Sequence, residues 1–372
     1  MKDLLDALRR NLPETLSLLE AMVNMDSPSM NKSLVDTFVH FLGPTFERLG
    51  AAVEYVPAER FGDHLLARFD GAPADKLLIL GHTDTVFPAG EIFRRPFKIQ
   101  NNRATGPGVF DMKGGIALLC AALRVLGPLP RPVTILLTSD EEAGSPSSRA
   151  LIEMEAMSAG AVLVLEPSLP GGALKTARKG VGRFTVMAAG RAAHAGIDPS
   201  RGVNAIQEIA HQILRLQNMS DPACGTTVTV GVVQGGTRVN VVPAEAVVEI
   251  DVRIANNDEA ARISEAIRQL RPVLPGATLH IRGAINRPPM ERTSDTARLL
   301  EIARKVGQDL GLHIEEGSTG GGSDGNFTSA IGIPTLDGLG PIGEGAHSMD
   351  EYVEIASFPE RAALIAGLIR QV

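Results

Sequence analysis

Residues that can bind a metal stand at the ends of three apolar runs of the sequence. The run "LLILGHTDTV" ends in His82 and Asp84, "TILLTSDEEAGS" contains Glu141 and Glu142, and "AVLVLEPS" contains Glu166. Imidazole nitrogens and carboxylate oxygens suit Zn²⁺ and, less selectively, Mn²⁺ or Co²⁺. The sequence therefore predicts a metal site where these runs end.

Two further residues complete a set of candidate ligands. Asp111 follows the glycine- and proline-rich stretch of "ATGPGVFDMKGG", and His347 lies in "GAHSMDEYV". Two metal ions about 3.5–4 Å apart need a bridging carboxylate and further ligands on each side. Asp111 is the natural bridge because a tight turn would hold it directly before a helix, although capping that helix is an equally good interpretation of this residue alone. The candidate ligands are His82, Asp111, Glu142, Glu166 and His347.

The elements that must position these residues are predicted to be parallel strands. The runs "KLLILGH", "PVTILLTSDEE" and "GAVLVLEPS" are short, rich in Leu, Ile and Val, and separated by segments with helical periodicity. Such runs are typical of parallel strands covered on both faces. Ligands of such sheets bind outside the carboxyl ends of the strands. We therefore expect an α/β fold with a doubly wound, mainly parallel sheet.

The middle of the chain predicts a second, inserted domain. Its pattern of strand, helix, two strands, helix and strand is that of the split ferredoxin-like α+β fold. We expect residues 1–180 and 287–372 to form the first domain and residues 181–286 to form the insertion.

Composition and charge exclude several classes of partner. The 372 residues carry a formal net charge of -7 and no Lys/Arg-rich run, so neither nucleic acid nor an anionic membrane is an expected partner. No run reaches the roughly 18 apolar residues of a membrane-spanning helix, and the N-terminus has the pattern of a surface helix instead of a signal peptide. Cys120 and Cys224 form no metal-type pair, which favours a cytoplasmic, disulfide-free protein, although so few cysteines also fit an oxidising compartment.

The order of the motifs resembles that of a known enzyme family. "GHTDTV", "GPGVFDMKGG", "TSDEEAGS", "LEPS", "GRAAHAG", "NVVPAEA", "GGGSDGNF" and "GAHSMDEYV" follow one another as in the co-catalytic zinc metallopeptidases. That family includes glutamate carboxypeptidases, aminoacylases, acetylornithine deacetylase and succinyl-diaminopimelate desuccinylase. The resemblance covers nearly the whole chain and is closest to bacterial glutamate carboxypeptidases of the carboxypeptidase G type, especially through "GPGVFDMKGG", "RAAHAG", "RPPM" and "GGGSDGNF".

The resemblance implies two Zn²⁺ ions per subunit, with Co²⁺ or Mn²⁺ as possible substitutes. It implies that His82 and Glu166 bind one ion and that Glu142 and His347 bind the other. Asp111 would bridge the two ions.

The resemblance also implies roles for two acids beside the ligands. Asp84 would orient His82 through its other ring nitrogen, whereas its alternative is a loop aspartate exposed to water. Glu141 would be the general base that takes a proton from water and delivers it to the leaving amine. Consecutive side chains at a strand end point in different directions, so Glu142 can bind metal while Glu141 faces the water.

His194, in "GRAAHAG", lies in the predicted insertion, outside the ligand set. A lone histidine in such a loop is usually a surface residue. The resemblance implies instead that it reaches from one subunit into the active site of its partner and polarises the scissile carbonyl. A homodimer is therefore expected.

Candidates for binding the substrate's carboxylate are Arg287 in "NRPPM" and Asn240 in "RVNVVP". A guanidinium offers a planar, bidentate fork to a carboxylate, but a surface ion pair and a turn residue are equally good interpretations of these two residues without the resemblance. Gly321 and Gly322 in "STGGGSDGNF" would let backbone N–H groups approach an anion. A flexible connector is the alternative for this loop, in which residues 324 and 326 could shape the turn.

The resemblance implies hydrolysis of an amide bond next to a free carboxylate, with release of a C-terminal glutamate or a similar amino acid from a small peptide-like substrate. An N-acyl-amino-acid deacylase, such as a deacetylase or desuccinylase acting on an acylated amino acid, is the alternative within the enzyme class. A non-catalytic metal- or ligand-binding module is a third hypothesis, and it predicts the loss of a ligand or of the base. Every expected position is occupied in this sequence.

Overall fold

The computed structural model describes residues 1–372, which form 11 α-helices and 18 β-strands. The helices are α1 (Lys2–Arg10), α2 (Leu12–Val23), α3 (Lys32–Arg48), α4 (Glu91–Arg94), α5 (Gly114–Leu126), α6 (Arg149–Met157), α7 (Ala205–Gln217), α8 (Asn257–Arg268), α9 (Ser294–Leu310), α10 (Gly325–Ala330) and α11 (Phe358–Gln371). The strands are β1 (Ala52–Val56), β2 (His64–Phe69), β3 (Lys76–His82), β4 (Lys98–Gln100), β5 (Arg103–Thr105), β6 (Val133–Thr138), β7 (Ala159–Val164), β8 (Leu174–Arg178), β9 (Gly180–Ala189), β10 (Ala193–His194), β11 (Thr227–Gly235), β12 (Val241–Val242), β13 (Glu245–Ile254), β14 (Thr278–Arg287), β15 (Glu316–Thr319), β16 (Thr335–Leu336), β17 (Gly343–Glu344) and β18 (Tyr352–Glu354).

The chain divides into two compact units. The first consists of Met1–Ala177, Arg292–Ser318 and Ser323–Val372, and the second of Arg178–Glu291 and Thr319–Gly322. No helix of the chain is both long enough and apolar enough to cross a membrane.

The first unit is built on a six-stranded sheet with the order β1-β2-β6-β3-β7-β16. Strand β3 pairs in parallel with both β6 and β7, and β16 pairs in parallel with β7. Strand β2 is antiparallel to both of its neighbours, β1, to which a hairpin joins it, and β6. The predicted mainly parallel sheet is thus confirmed, with an antiparallel pair added at one edge.

Helices cover both faces of this sheet. Along β3, Leu77 and Ile79 belong to an apolar cluster that includes residues of α5 and α11. The alternate residues Leu78 and Leu80 belong to a second cluster, with residues of α6 and α10. Because successive side chains of a strand point to opposite faces, this division shows that the sheet lies between two helical layers. The doubly wound α/β architecture predicted from the apolar runs is therefore confirmed.

The second unit contains a four-stranded antiparallel sheet with the order β11-β13-β9-β14. Its elements follow one another as β9, α7, β11, β13, α8 and β14, which is the ferredoxin-like order predicted from the sequence. Phe184, Val186 and Ala188 alternate along β9 and are buried in the apolar cluster of this unit. The inserted α+β fold is thus confirmed, while its role in dimerisation or as a lid stays a prediction.

Candidate metal centre

Three neighbouring parallel strands end where the predicted ligands begin. His82 is the last residue of β3 and lies opposite Thr138, the last residue of β6. Leu80 of β3 lies opposite Val164, the last residue of β7. The segments that carry the acidic residues therefore leave the sheet at one common edge.

The five predicted ligands come together at this edge. The Nε2 atom of His82 lies 3.1 Å from Oδ1 of Asp111 and 3.5 Å from Oε1 of Glu166. The Nε2 atom of His347 lies 3.5 Å from Oδ2 of Asp111 and 3.0 Å from Oε2 of Glu142. Asp111 thus directs its two oxygens at two different histidines, which is the arrangement that a bridging carboxylate requires.

The donor atoms have the spacing of ligands that share a cation. Tetrahedral bonds of 2.0–2.1 Å place two nitrogen or oxygen ligands of one Zn²⁺ ion about 3.3 Å apart. The four separations at this edge run from 3.0 to 3.5 Å. Single donor atoms of His82, Asp111 and Glu142, and likewise of His82, Glu141 and Glu166, lie within 4.8 Å of one another. The residues therefore fit a pair of metal ions.

In the metal-free protein the same contacts are hydrogen bonds that shift the pKa values of the ligands. Burial alone would lower the pKa of His82, but hydrogen bonds with Asp111 and its other acidic neighbours raise it well above its usual range. Hydrogen bonds to Asp111 and Glu142 raise the pKa of His347 to about 11. Although burial opposes it, the two histidines hold the pKa of Asp111 well below its ordinary value.

Asp84 contacts both His82 and the acidic loop. The Nδ1 atom of His82 lies 2.9 Å from the backbone oxygen of Asp84 and 3.5 Å from its Oδ1. This contact leaves Nε2 for a metal. The Asp84 carboxylate accepts hydrogen bonds from the amides of Glu141 and Glu142, at 3.2 and 3.1 Å, and from the hydroxyl of Ser29 at 2.6 Å. The sequence predicted an aspartate beside the histidine but not its bonds to these amides.

Buried carboxylates anchor the loop that carries Glu141 and Glu142. Asp140 accepts hydrogen bonds from the backbone of Ser147, at 2.6 Å, and from the hydroxyl of Ser148, also at 2.6 Å. Asp324 accepts one from Thr138 at 2.8 Å. It also accepts one from the hydroxyl of Ser145 in the loop at 2.5 Å. The bonds of Asp140 thus tie the loop to the start of α6, and those of Asp324 tie it to the end of β6. Asp324 is therefore part of the support of the candidate site, and its alternative role in shaping its own turn stays a prediction.

The close packing of α5 against the end of the β7 segment requires glycine at position 115. A Cβ atom on Gly115 would lie 2.3 Å from the backbone oxygen of Leu165, which directly precedes Glu166. Glycine at 115 therefore lets the start of α5 contact the end of the β7 segment. The peptide bond between Asp111 and Met112 is cis.

One further carboxylate at this edge was missed by sequence reasoning. Glu351 is buried and accepts hydrogen bonds from backbone amides of the Asp111 loop. Its only signal in the sequence is its position four residues after His347.

The remaining predicted site residues belong to the second unit, where they form two groups. His194 is exposed, its Nδ1 accepts hydrogen bonds from the amides of Gly196 and Ile197, and β10 pairs with β12 beside Asn240. The backbone oxygen of Asn240 accepts a hydrogen bond from Ala195 at 3.0 Å, so His194 and Asn240 lie on adjoining segments.

The second group contains Arg287 and the glycine-rich loop. Arg287 is buried at the end of β14, and a Cβ atom on Gly322 would lie 2.8 Å from its Cδ. The Nη1 atom of Arg178 donates to the backbone oxygens of Gly321 and Gly322 at 3.3 and 3.1 Å. Hydrogen bonds thus hold this part of the loop, which argues against a free connector.

Comparison with known proteins finds one matching family model, two similar relatives and one similar solved structure. The family model described as peptidase family M20/M25/M40 matches residues 78–371. Carboxypeptidase G2 from Pseudomonas sp. (strain RS-16) is 32% identical over 369 residues, covering 96% of this chain and 89% of that protein. Acetylornithine deacetylase from Erwinia tasmaniensis is 29% identical over 392 residues, covering 97% and 98%. The crystal structure of aminopeptidase PepT from Bacillus cereus ATCC 10987 has a TM-score of 0.79 at 22% identity, covering 97% and 98%.

Proposed function

The chain belongs to peptidase family M20/M25/M40 and is a metal-dependent hydrolase, and from this premise we propose that it uses two Zn²⁺ ions per subunit to cleave an amide bond next to a free carboxylate. The observation that carries the proposal is the position of Asp111 between His82 and His347, with Glu141 close to the same histidine–carboxylate cluster.

We assign the metal ligands as the resemblance to the family implies. His82 and Glu166 would hold one ion, Glu142 and His347 the other, and Asp111 would lie between them. All five donors are nitrogen or oxygen atoms, a set that also accommodates Co²⁺ or Mn²⁺. Bound in this way, the ions would supply Lewis acidity for an attacking water and for the scissile carbonyl.

Glu141 is the proton carrier in this proposal. Its carboxylate takes a proton from the attacking water and transfers it to the leaving nitrogen of the amide. The bond from its backbone amide to Asp84 holds Glu141 in place, and the same aspartate orients His82. The base and one metal ligand are thus positioned by a single buried residue.

The preferred substrate ends in glutamate or a similar amino acid with a free carboxylate. Supporting this preference, the identity to carboxypeptidase G2 is 32%, compared with 29% for acetylornithine deacetylase. Arg287, Asn240 and the backbone of Gly321 and Gly322 are the groups proposed to bind the carboxylate, since a guanidinium and backbone N–H groups both suit such an anion. A deacylase acting on an N-acyl amino acid is the second candidate, favoured by the nearly complete coverage of the acetylornithine deacetylase.

His194 is proposed to act across a homodimer, where it would polarise the scissile carbonyl in the site of the partner subunit. Its exposure and its bonds to the amides of Gly196 and Ile197 support this role, because the loop orients the ring while leaving it accessible.

A substrate panel tests the proposed function. Protein reconstituted with Zn²⁺ is assayed on folate-type glutamyl amides, on N-acetyl amino acids and on N-succinyl amino acids. We expect kcat/KM for the glutamyl amides to exceed that for the other two sets by at least about tenfold, because the two candidate functions differ in which side of the amide is recognised and a missing pocket contact typically costs about tenfold or more. The carboxamide analogue of each glutamyl substrate is the matched control and should not be cleaved.

Two other outcomes are informative. Exclusive turnover of the N-acyl amino acids would replace the first candidate by the deacylase. Binding of two ions without turnover of any substrate in the panel would favour the non-catalytic module.

A further inference from the structure

A buried carboxylate outside the proposed ligand set holds the backbone around Asp111. Glu351 has 0% of its surface exposed. Its Oε1 accepts hydrogen bonds from the amides of Phe110 and Asp111, at 2.8 and 2.9 Å, and its Oε2 accepts one from the amide of Gly108 at 3.0 Å. All of these donors belong to the loop that presents Asp111.

The loop's own backbone bonds run from the amide of Lys113 to Gly108, at 2.9 Å, and from the amide of Val109 to Gly106, at 3.2 Å, and leave the three amides that face Glu351 to another acceptor. Gly108 has a left-handed φ of 73°, and Asp111 has extended angles of φ -116° and ψ 95°. Helix α5 begins only at Gly114. The amides of Gly108, Phe110 and Asp111 therefore point at one place and not at carbonyls of a preceding turn. Together they form a concave anion-binding site. Leaving such buried amides without an acceptor would cost free energy, so Glu351 favours this loop conformation.

The segment that supplies Glu351 also carries a proposed ligand. His347 lies four residues earlier and has a left-handed φ of 63°. The stretch between them is fastened by a bond from the amide of Ser348 to Gly345, at 2.9 Å, and by a bond from Arg95 to the backbone oxygen of Met349, also at 2.9 Å. One short segment thus presents His347 and holds the backbone of Asp111.

A buried lysine of the same loop, Lys113, has a favourable charge interaction with Glu351. Lys113 is 1% exposed, and its Nζ donates to the backbone oxygen of Met25 at 2.8 Å and lies 5.0 Å from the centre of the Phe38 ring. Lys113 donates no hydrogen bond to the carboxylate of Glu351, which accepts its hydrogen bonds from backbone amides. Both oxygens of the Glu351 carboxylate therefore bind the loop that carries Asp111.

We propose that Glu351 is a positioning residue of the metal centre, which aims the Asp111 carboxylate and couples its position to that of His347. The inference rests on the proposed function, because it assumes that Asp111 and His347 bind metal. In a Glu351→Gln variant one acceptor oxygen becomes an NH₂ donor that faces amide donors. At least one amide of the loop then loses its acceptor. The Asp111 carboxylate is then no longer held in the orientation that directs its oxygens at both His82 and His347.

Metal binding by the full-length apoprotein tests the proposal without relying on activity. Zn²⁺ affinity is measured by competition with a chelator, and the visible absorption of the Co²⁺-loaded protein reports the geometry of the ligands. We expect Glu351→Gln to weaken metal binding roughly 10- to 100-fold, as loss of residues that orient ligands typically does, and to change the Co²⁺ spectrum. Asp350→Asn is the matched control, because Asp350 is exposed on the same segment and its loss removes the same charge. It should leave affinity and spectrum unchanged.

A Glu351→Gln protein with the affinity, stoichiometry and Co²⁺ spectrum of the wild type would overturn the proposal. If that variant does not fold, Glu351→Asp decides, because it keeps both oxygens but is one methylene too short to reach all three amides. We expect it to show weakened affinity and a shifted spectrum, and wild-type behaviour would again refute the inference. Failure of the wild type itself to bind two ions would instead refute the proposed metal centre.

Discussion

Asp84 joins two parts of the candidate metal centre through different atoms. Its backbone oxygen faces Nδ1 of His82, whereas its carboxylate accepts the amides of Glu141 and Glu142. The resemblance implied that Asp84 orients His82, but it did not predict that the backbone oxygen makes the shorter contact. The contact of its carboxylate with the two amides spans 57 and 58 residues and depends on the pairing of β3 with β6.

Replacing Glu141 with glutamine tests its role as the base. The amide has nearly the same size as the carboxylate but cannot accept the proton. We expect Glu141→Gln to lower kcat by roughly 10²- to 10⁴-fold, the usual contribution of a general acid–base, while both metal ions stay bound. Steady-state kinetics and metal analysis of the same preparation measure the two quantities.

The control for this substitution is Glu153→Gln. Glu153 is partly exposed on α6 and pairs only with the neighbouring Arg149, so its loss should leave kcat unchanged. Near-normal kcat in Glu141→Gln would contradict the base assignment, and loss of metal would show that the residue is a ligand.

At the scale of elements, one buried acid fastens α6 to the sheet. Glu155 accepts two hydrogen bonds from Arg68 on β2, at 2.7 and 3.1 Å, and one from Lys76 on β3 at 2.8 Å. Helix α6 directly follows the loop that carries Glu141 and Glu142. The contact therefore stabilises helix α6, which begins where that loop ends.

The stability supplied by Glu155 should depend on pH. Its hydrogen bonds to Arg68 lower the pKa of Glu155 to about 2, whereas an unfolded glutamate has a pKa of about 4.3. Because the folded-state pKa is the lower one, the stabilisation is complete above about pH 4.3 and is lost as the pH falls toward 2. We expect Glu155→Gln to destabilise the metal-free protein at pH 7. Between about pH 4.3 and 2, the free energy of unfolding measured in urea should fall less for this variant than for the wild type.

Glu54→Gln is the matched control for this measurement. Glu54 lies 3.9 Å from the same Arg68, but its side chain is 61% exposed. An exposed pair of this kind contributes at most about 1 kcal/mol. The free energy of unfolding of Glu54→Gln should therefore depend on pH as that of the wild type does. If Glu155→Gln also kept the wild-type pH dependence, Glu155 would not be the source of the pH-dependent stability.

At the scale of the whole molecule, the proposed site residues divide between two units. The proposed metal ligands and Glu141 belong to the first unit, and His194, Asn240 and Arg287 belong to the second. If His194 acts in the site of the partner subunit, each complete active site requires two chains. The dimer is then part of the mechanism.

Mixed dimers test this requirement. Glu141→Ala and His194→Ala homodimers should each be nearly inactive, but one site of a mixed dimer contains both wild-type residues. Random reassembly of equal amounts should restore about a quarter of the wild-type activity, since half of the dimers are mixed and half of their sites are intact.

A mixture of Glu141→Ala with His347→Ala is the control and should stay inactive, because Glu141 and His347 belong to the same unit of one chain. Absence of complementation between Glu141→Ala and His194→Ala would show that His194 does not act across the dimer.

Local patterns were sufficient to predict the main architecture. The apolar runs of β3, β6 and β7 and the alternation along β9 predicted strands of the correct kind. The antiparallel partners β1 and β2, and the position of β6 between β2 and β3, were not predicted. Strand order depends on pairing between distant segments, for which periodicity carries no information.

The sequence by itself determined the chemistry of the candidate site: histidines and carboxylates at the ends of apolar strands, and a glycine-rich turn before Asp111. Only the tertiary structure decided what holds those groups in place. Glu351 contacts the amide of Gly108 across 243 residues of chain, and Asp84 likewise contacts amides. Every residue except proline carries a backbone N–H group, so no residue type marks the amides that a distant carboxylate will bind.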